Sequence, residues 1–152
     1  RAAPGPGAAG LVFAGGARVH YLARGGGADG VPYLLEQAHL SAERFPGLLD
    51  EDFTVASLYE VLDRRYGVAI ARTRETISAV VPGAREARLL GLRSSTPAIC
   101  LEGTASAPDG TPVEHSRTIV SPEHARYFIE TSGARARSVE PLGRRPGPGA
   151  DT

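Results

Sequence analysis

Six residues in this sequence have types and spacings suited to chemistry: Arg24, Glu36, Ser57, Tyr59, Arg72 and Glu114. An arginine offers a rigid fork of donors matched to a carboxylate or a phosphate. A carboxylate on a half-covered strand must be paired, hydrogen-bonded or shifted in pKa, which is how binding pockets are commonly furnished. Ser57 stands in the first turn of an expected helix, where unpaired backbone N–H groups and the positive end of the dipole favour an anion. Together Arg24, Arg72 and the Ser57 helix end would suit a small anionic ligand of the carboxylate or phosphate kind. Each residue also has a plainer reading. Glu36 and Glu114 can each meet an arginine across a sheet, Ser57 can simply cap its helix, and Arg72 and Arg74, two apart in a strand, share a face that solvent can cover. The residues alone leave both readings open.

Other chemistries lack their parts. A Gly-x-Ser-x-Gly nucleophile turn is absent, and Glu114-His115-Ser116 alternates across a strand, so His115 points away from its two neighbours. The glycine-rich stretch Gly25–Gly30 is followed by no helix signal and closed by no Lys-Ser/Thr, unlike a phosphate loop. Four scattered histidines and the lone Cys100 give neither metal-ligand spacing nor an intrachain disulfide. No metal or cofactor is expected.

These residues need elements to position them. Ala17–Arg24 and Pro32–Leu40 read as two strands joined by a glycine-rich turn, and Pro97–Ala107 and Pro112–Val120 as two more joined by a Pro-Asp-Gly-Thr turn. Glu36 shares its parity with Leu34 and Leu40, and Glu114 with Ser116 and Val120, so either carboxylate can face a partly covered interior. The Asp-Gly turns stand 80 residues apart, and the same offset puts Val19 on Ile99 and Tyr21 on Leu101, which suggests a duplicated hairpin. Between the hairpins, Val55, Leu58, Leu62 and Tyr66 mark an amphipathic helix capped by Thr54 and stopped by Gly67. Val68–Val81 follows as a long strand, Ala84–Leu90 as a short helix ended by Gly91, and Arg126–Thr131 as a last strand. Antiparallel hairpins interrupted by helices describe an α+β domain with helices covering the sheet.

Length and composition fit that picture. A chain of 152 residues holds one domain with a real core, and 17 basic against 17 acidic residues leave no net charge to draw in nucleic acid. Every basic residue is arginine, and lysine and methionine are absent, as in a protein from a GC-rich bacterial genome. Residues 1–10 and 134–152 are rich in Gly, Pro or Arg and poor in apolar side chains, so we expect tails flanking a domain at 11–133. A chain that begins at Arg1 is expected to be a piece of something longer. No apolar run nears the ~18 residues of a membrane span, and the first residues lack the charged-then-apolar order of a signal peptide. A cytoplasmic protein without membrane contact is expected.

The pieces also resemble a known family, the UTRA effector-binding domain of bacterial GntR-type transcription regulators of the HutC subfamily. The resemblance runs in order through Arg24 with Ala28–Pro32 and Glu36, then Phe45–Leu48, Ser57–Ile70, a stretch ending at Leu92, and Asp109–Ser116. It implies a chorismate-lyase-like fold, an antiparallel sheet of about six strands with flanking helices. It also implies ligand contacts at Glu36, Ser57, Tyr59 and Glu114 alongside Arg24. In members that sense phosphorylated sugars, two arginines two apart hold the phosphate. Here Arg24 matches the first, Gly26 stands at the second, and Val120 stands where some members have tyrosine. One guanidinium fewer removes a contact worth about 1.5–3 kcal/mol, which favours a smaller or monoanionic effector. The resemblance further implies a homodimer, and operator DNA bound only through a separate winged helix-turn-helix domain that this chain has no room for.

The resulting expectation is a sensor of a small anionic metabolite, such as a sugar phosphate, an amino acid or an organic acid, within a transcription regulator and without catalysis. Two alternatives use the same residues: a chorismate-lyase-like enzyme acting on an aromatic acid, and a ligand-free dimerisation module.

Overall fold

A computed structural model describes Phe13 and residues 17–128. Five strands, β1 (Val19–Ala28), β2 (Val31–Ser41), β3 (Arg72–Val80), β4 (Ala98–Ser106) and β5 (Pro112–Val120), form one antiparallel sheet in the order β1-β2-β5-β4-β3. Two helices, α1 (Leu58–Tyr66) and α2 (Ala84–Leu89), interrupt the chain between the hairpins. The architecture is the expected α+β arrangement. Among the described residues the sheet has five strands; Arg126–Phe128 are not in a strand, and the remainder of the expected sixth, to Thr131, lies outside the described residues.

The first hairpin closes more tightly than its glycine-rich sequence suggests. Asp29 and Gly30 both take left-handed backbone, with φ of 52° and 76°, the conformation of a two-residue type I′ turn. A turn that short keeps the strands paired up to it, so β1 continues through Gly25–Gly27 instead of ending at Arg24. The register shifts between Gly26 and Gly27, and a Cβ on Gly27 would lie 2.8 Å from the Val31 carbonyl oxygen, so the irregularity requires a glycine.

The second hairpin has a longer connection, Ala107–Thr111, in which Asp109 accepts from the Thr111 N–H at 2.9 Å and Gly110 has φ of 83°. Its register shifts between Ala105 and Ser106. At the 80-residue offset the second strands keep their faces, with Glu36 and Ser116 both on the α1 side, but the first strands do not. Val19 and Tyr21 share the sheet face of His39, whereas their counterparts Ile99 and Leu101 pair across to Val120 and Thr118 on the other face. The matching turns reflect the shared preference of Asp-Gly for tight hairpins.

Helix α1 begins three residues later than its apolar spacing suggests. The Thr54 N–H and hydroxyl both donate to Asp52 Oδ1, at 3.0 and 2.5 Å, which ties Thr54 into a turn, and Val55 is 85% exposed. Ser57 becomes the N-cap, and Leu58, Val61 and Leu62 form the buried stripe. Gly67, with φ of 64°, ends the helix as expected. The next segment also starts late as a strand. The Val68 N–H closes on the Leu62 carbonyl, and Val68 and Ile70 pack beside the α1 core before β3 begins at Arg72.

Two apolar cores lie on opposite faces of the sheet. Leu58, Val61 and Leu62 of α1 pack with Ala38, Leu40, Phe45 and Leu48 on one face. Ala87 of α2 and the following Leu90 and Leu92 pack with Leu35, Cys100 and Ile119 on the other. Strand β3, at the sheet edge, is exposed along nearly its whole length.

Candidate ligand-binding site

Register fixes which side chains meet on the α1 face. Cross-strand partners share a face, and residues two apart along a strand return to it. Three rows cross the sheet there. One runs Arg24, Glu36, Thr118, Leu101 and Ile77; the next Leu22, Ala38, Ser116, Gly103 and Glu75; the third His20, Leu40, Glu114, Ala105 and Thr73. The small residues Ala38, Ser116 and Gly103 make a low floor between the charged groups of the outer rows.

Four of the six expected residues converge over this floor. Arg24 and Glu36 are cross-strand partners and form an ion pair, each side chain about a quarter exposed. That pair realises the cross-sheet arginine reading for Glu36. Glu114 is 3% exposed and meets no arginine; instead the Tyr59 hydroxyl donates to its Oε2 at 2.7 Å. Burial pushes the Glu114 carboxyl above its ordinary pKa, the Tyr59 hydrogen bond opposes that, and the charges of Glu36 and Glu75 add to it. Tyr59 is also pushed up, first by burial and then by its bond to Glu114. These mutual effects place Arg24, Glu36, Tyr59, Glu75 and Glu114 in one electrostatic neighbourhood.

Ser57 stands beside this group as the N-cap of α1, and its hydroxyl makes no capping hydrogen bond. The first-turn N–H groups therefore lack the side-chain partner that a capping serine normally supplies. Arg72 does not join the site. It pairs with Ser106, and its strand neighbour Arg74 pairs with Thr104 opposite His115, so both arginines belong to the α2 face. A strand's alternation cannot reveal which of its two faces lies under α1 until its pairing is known.

The sequence did not reveal Glu75 and Gly103 as neighbours of this cluster. Glu75 lies among exposed neighbours in a strand without apolar alternation. Gly103 sits opposite it, and a Cβ there would come within 2.8 Å of Glu75 Cγ and 2.2 Å of the Arg74 carbonyl oxygen. A glycine is what lets β3 and the Glu75 side chain lie so close over the floor.

The α2 face carries a different cluster. Tyr21 and His39 pack with their rings tilted and centroids 5.2 Å apart, the His39 and His115 ring centroids lie 6.5 Å apart, and His115 Nε2 is 3.2 Å from Glu102 Oε1. Burial and the nearby His115 lower the His39 pKa. Among the described residues no group of three His, Cys, Asp or Glu side chains could hold a metal ion. No helix among them is long and apolar enough to cross a membrane.

Residues 1–126 match the UTRA domain model. The chain belongs to the UTRA domain family. The transcriptional repressor PhnF of Mycolicibacterium smegmatis is 39% identical over 104 residues, covering 68% of this chain and 42% of that protein. The repressor NagR of Bacillus subtilis is 25% identical over 101 residues, covering 66% of this chain and 41% of that one. The crystal structure of the effector domain of PhnF from Mycobacterium smegmatis superposes with a TM-score of 0.73 at 34% identity, over 82% of this chain and 77% of that one. The chain thus spans about two fifths of the length of these curated relatives. Both relatives are named as transcriptional repressors.

Proposed function

We propose that this UTRA domain is the effector-sensing part of a GntR-type transcription regulator and binds a small metabolite bearing an anionic group. The observation that carries the proposal is the convergence of Arg24, Glu36, Tyr59 and Glu114 on one sheet face, at the N-terminus of α1, whose Ser57 hydroxyl makes no capping bond. An anion there meets guanidinium N–H groups, the Ser57 hydroxyl and the positive end of the helix dipole. The domain works as a homodimer in the cytoplasm, and operator DNA is held by a separate winged helix-turn-helix. Ligand binding then changes the relative placement of the two DNA-reading heads, with a coupling of about 1–3 kcal/mol. Support comes from the repressor relatives and from the arginine, carboxylate and tyrosine side chains gathered on one sheet face. The ligand returns unchanged.

The test is a thermal-shift screen of this chain against sugar phosphates, amino acids and organic acids, with every stabilising compound recovered and checked for turnover. A ligand at 100 times its Kd stabilises by about 2.7 kcal/mol, a shift of several degrees for a domain of this size. Recovery of an intact stabilising compound is the expected result; its consumption would establish an enzyme instead. Arg24→Ala should abolish binding of that compound in titration calorimetry and leave the domain folded.

A further inference from the structure

Among the described residues, the candidate site gathers more carboxylates than guanidinium groups. On the α1 face stand three carboxylates, Glu36 from β2, Glu75 from β3 and Glu114 from β5. Arg24 is already the ion-pair partner of Glu36. Of the charges that bear most on Glu114, two are carboxylates and one is a guanidinium. A ligand that is only an anion would share Arg24 with Glu36 and bring a like charge towards Glu75 and Glu114. Discrimination by such an arrangement runs against pure anions and in favour of a molecule that carries its own cation.

We propose that the effector is a zwitterion whose ammonium group lies between Glu75 and Glu114, with its anionic group directed to Arg24 and the N-terminus of α1. This deepens the effector-site reading above and rests on it. The geometry supplies a place for each end. Glu114 uses Oε2 for the Tyr59 hydroxyl, and Oε1 of the same carboxylate is a second acceptor. Glu75 is two strands away from Glu114 in the sheet order and one row along, in the row of Gly103 and Ser116, which puts their backbones about 12 Å apart at the usual strand and residue spacings. Side chains leaning in from both sides bracket one –NH3+ group, whose three donors can serve both carboxylates. Gly103 makes the arrangement possible, since any side chain there would meet Glu75 Cγ. Arg24 and Glu36 lie towards the opposite edge of the sheet, so the two ends of the ligand meet opposite charges. Glu75 and Gly103 therefore set the specificity of the site.

The experiment compares probe pairs that differ only by an amino or a hydroxyl group. The pairs are L-alanine and L-lactate, β-alanine and 3-hydroxypropionate, 4-aminobutyrate and 4-hydroxybutyrate, and ethanolamine phosphate and ethylene glycol monophosphate. Each is titrated calorimetrically into this chain and into its Glu75→Gln variant, whose exposed edge position leaves the fold intact. In at least one pair the amine should bind ten times or more tightly than the alcohol, and Glu75→Gln should reduce that preference about tenfold without weakening the alcohol. Equal or tighter binding of the alcohols, or an amine preference that survives Glu75→Gln, would overturn the inference while leaving the effector site standing. Failure of every probe to bind would overturn both for these ligand classes.

Discussion

The Tyr59 hydroxyl donates to Glu114 Oε2 at 2.7 Å, which joins the first turn of α1 to a carboxylate buried in the middle of the sheet. Removing the hydroxyl leaves that acceptor without its partner. Tyr59→Phe should therefore destabilise the domain by about 1–3 kcal/mol, the usual cost of orphaning a buried polar group. Urea denaturation of the two proteins measures the difference. A change within error would show that water replaces the hydroxyl without cost.

The same carboxylate gives stability a pH dependence of defined sign. The folded-state pKa of Glu114 lies above its ordinary value of 4.5, so the folded protein holds this proton more tightly than the unfolded chain does. Its contribution is fully present below 4.5 and is lost as pH rises through the folded pKa. Glu114→Gln cannot titrate and should lack this loss. The difference in unfolding free energy between variant and parent should therefore grow in favour of the variant from pH 4.5 upward and then level off. A difference that is flat across that range contradicts the assignment.

Gly103 offers a test of the close approach between β3 and β4. A Cβ at this position would lie 2.2 Å from the Arg74 carbonyl oxygen and 2.9 Å from Glu75 Cα, both backbone atoms that cannot swing aside. Gly103→Ala should cost about 1–3 kcal/mol through overpacking. Amide exchange should quicken across Arg72–Val80 as the edge strand lifts. Exchange that speeds up uniformly over the sheet would point to a global effect instead.

Helix α1 holds its place through Leu58, Val61 and Leu62, and Leu62 is fully buried. Leu62→Ala should cost about 2–5 kcal/mol in chemical denaturation. Val55, which lies on the same expected stripe but is 85% exposed, should tolerate alanine with a change below about 0.5 kcal/mol. The contrast between the two measures where the helix begins.

Much of this protein follows from local sequence. Strand alternation alone put Glu36 and Glu114 on covered faces, because side chains alternate wherever a strand is formed. The Asp-Gly turns, Gly67 and Gly91 marked the ends of hairpins and helices, because left-handed backbone has few other occupants. The order of motifs from Arg24 to Ser116 identified the family. Other features depended on partners distant in the chain. Thr54 was a sound cap by type, but its hydroxyl is tied to Asp52 and the cap falls to Ser57. The 80-residue offset holds its face between β2 and β5 but reverses it between β1 and β4, which only the pairing could show. Arg72 and Glu75 stand three residues apart on one strand, and only the register with β4 put the arginine on the α2 face and the glutamate on the α1 face. Alternation says that neighbours on a strand diverge; which of them meets the ligand is decided by the strands beside it, and those are brought there only by folding.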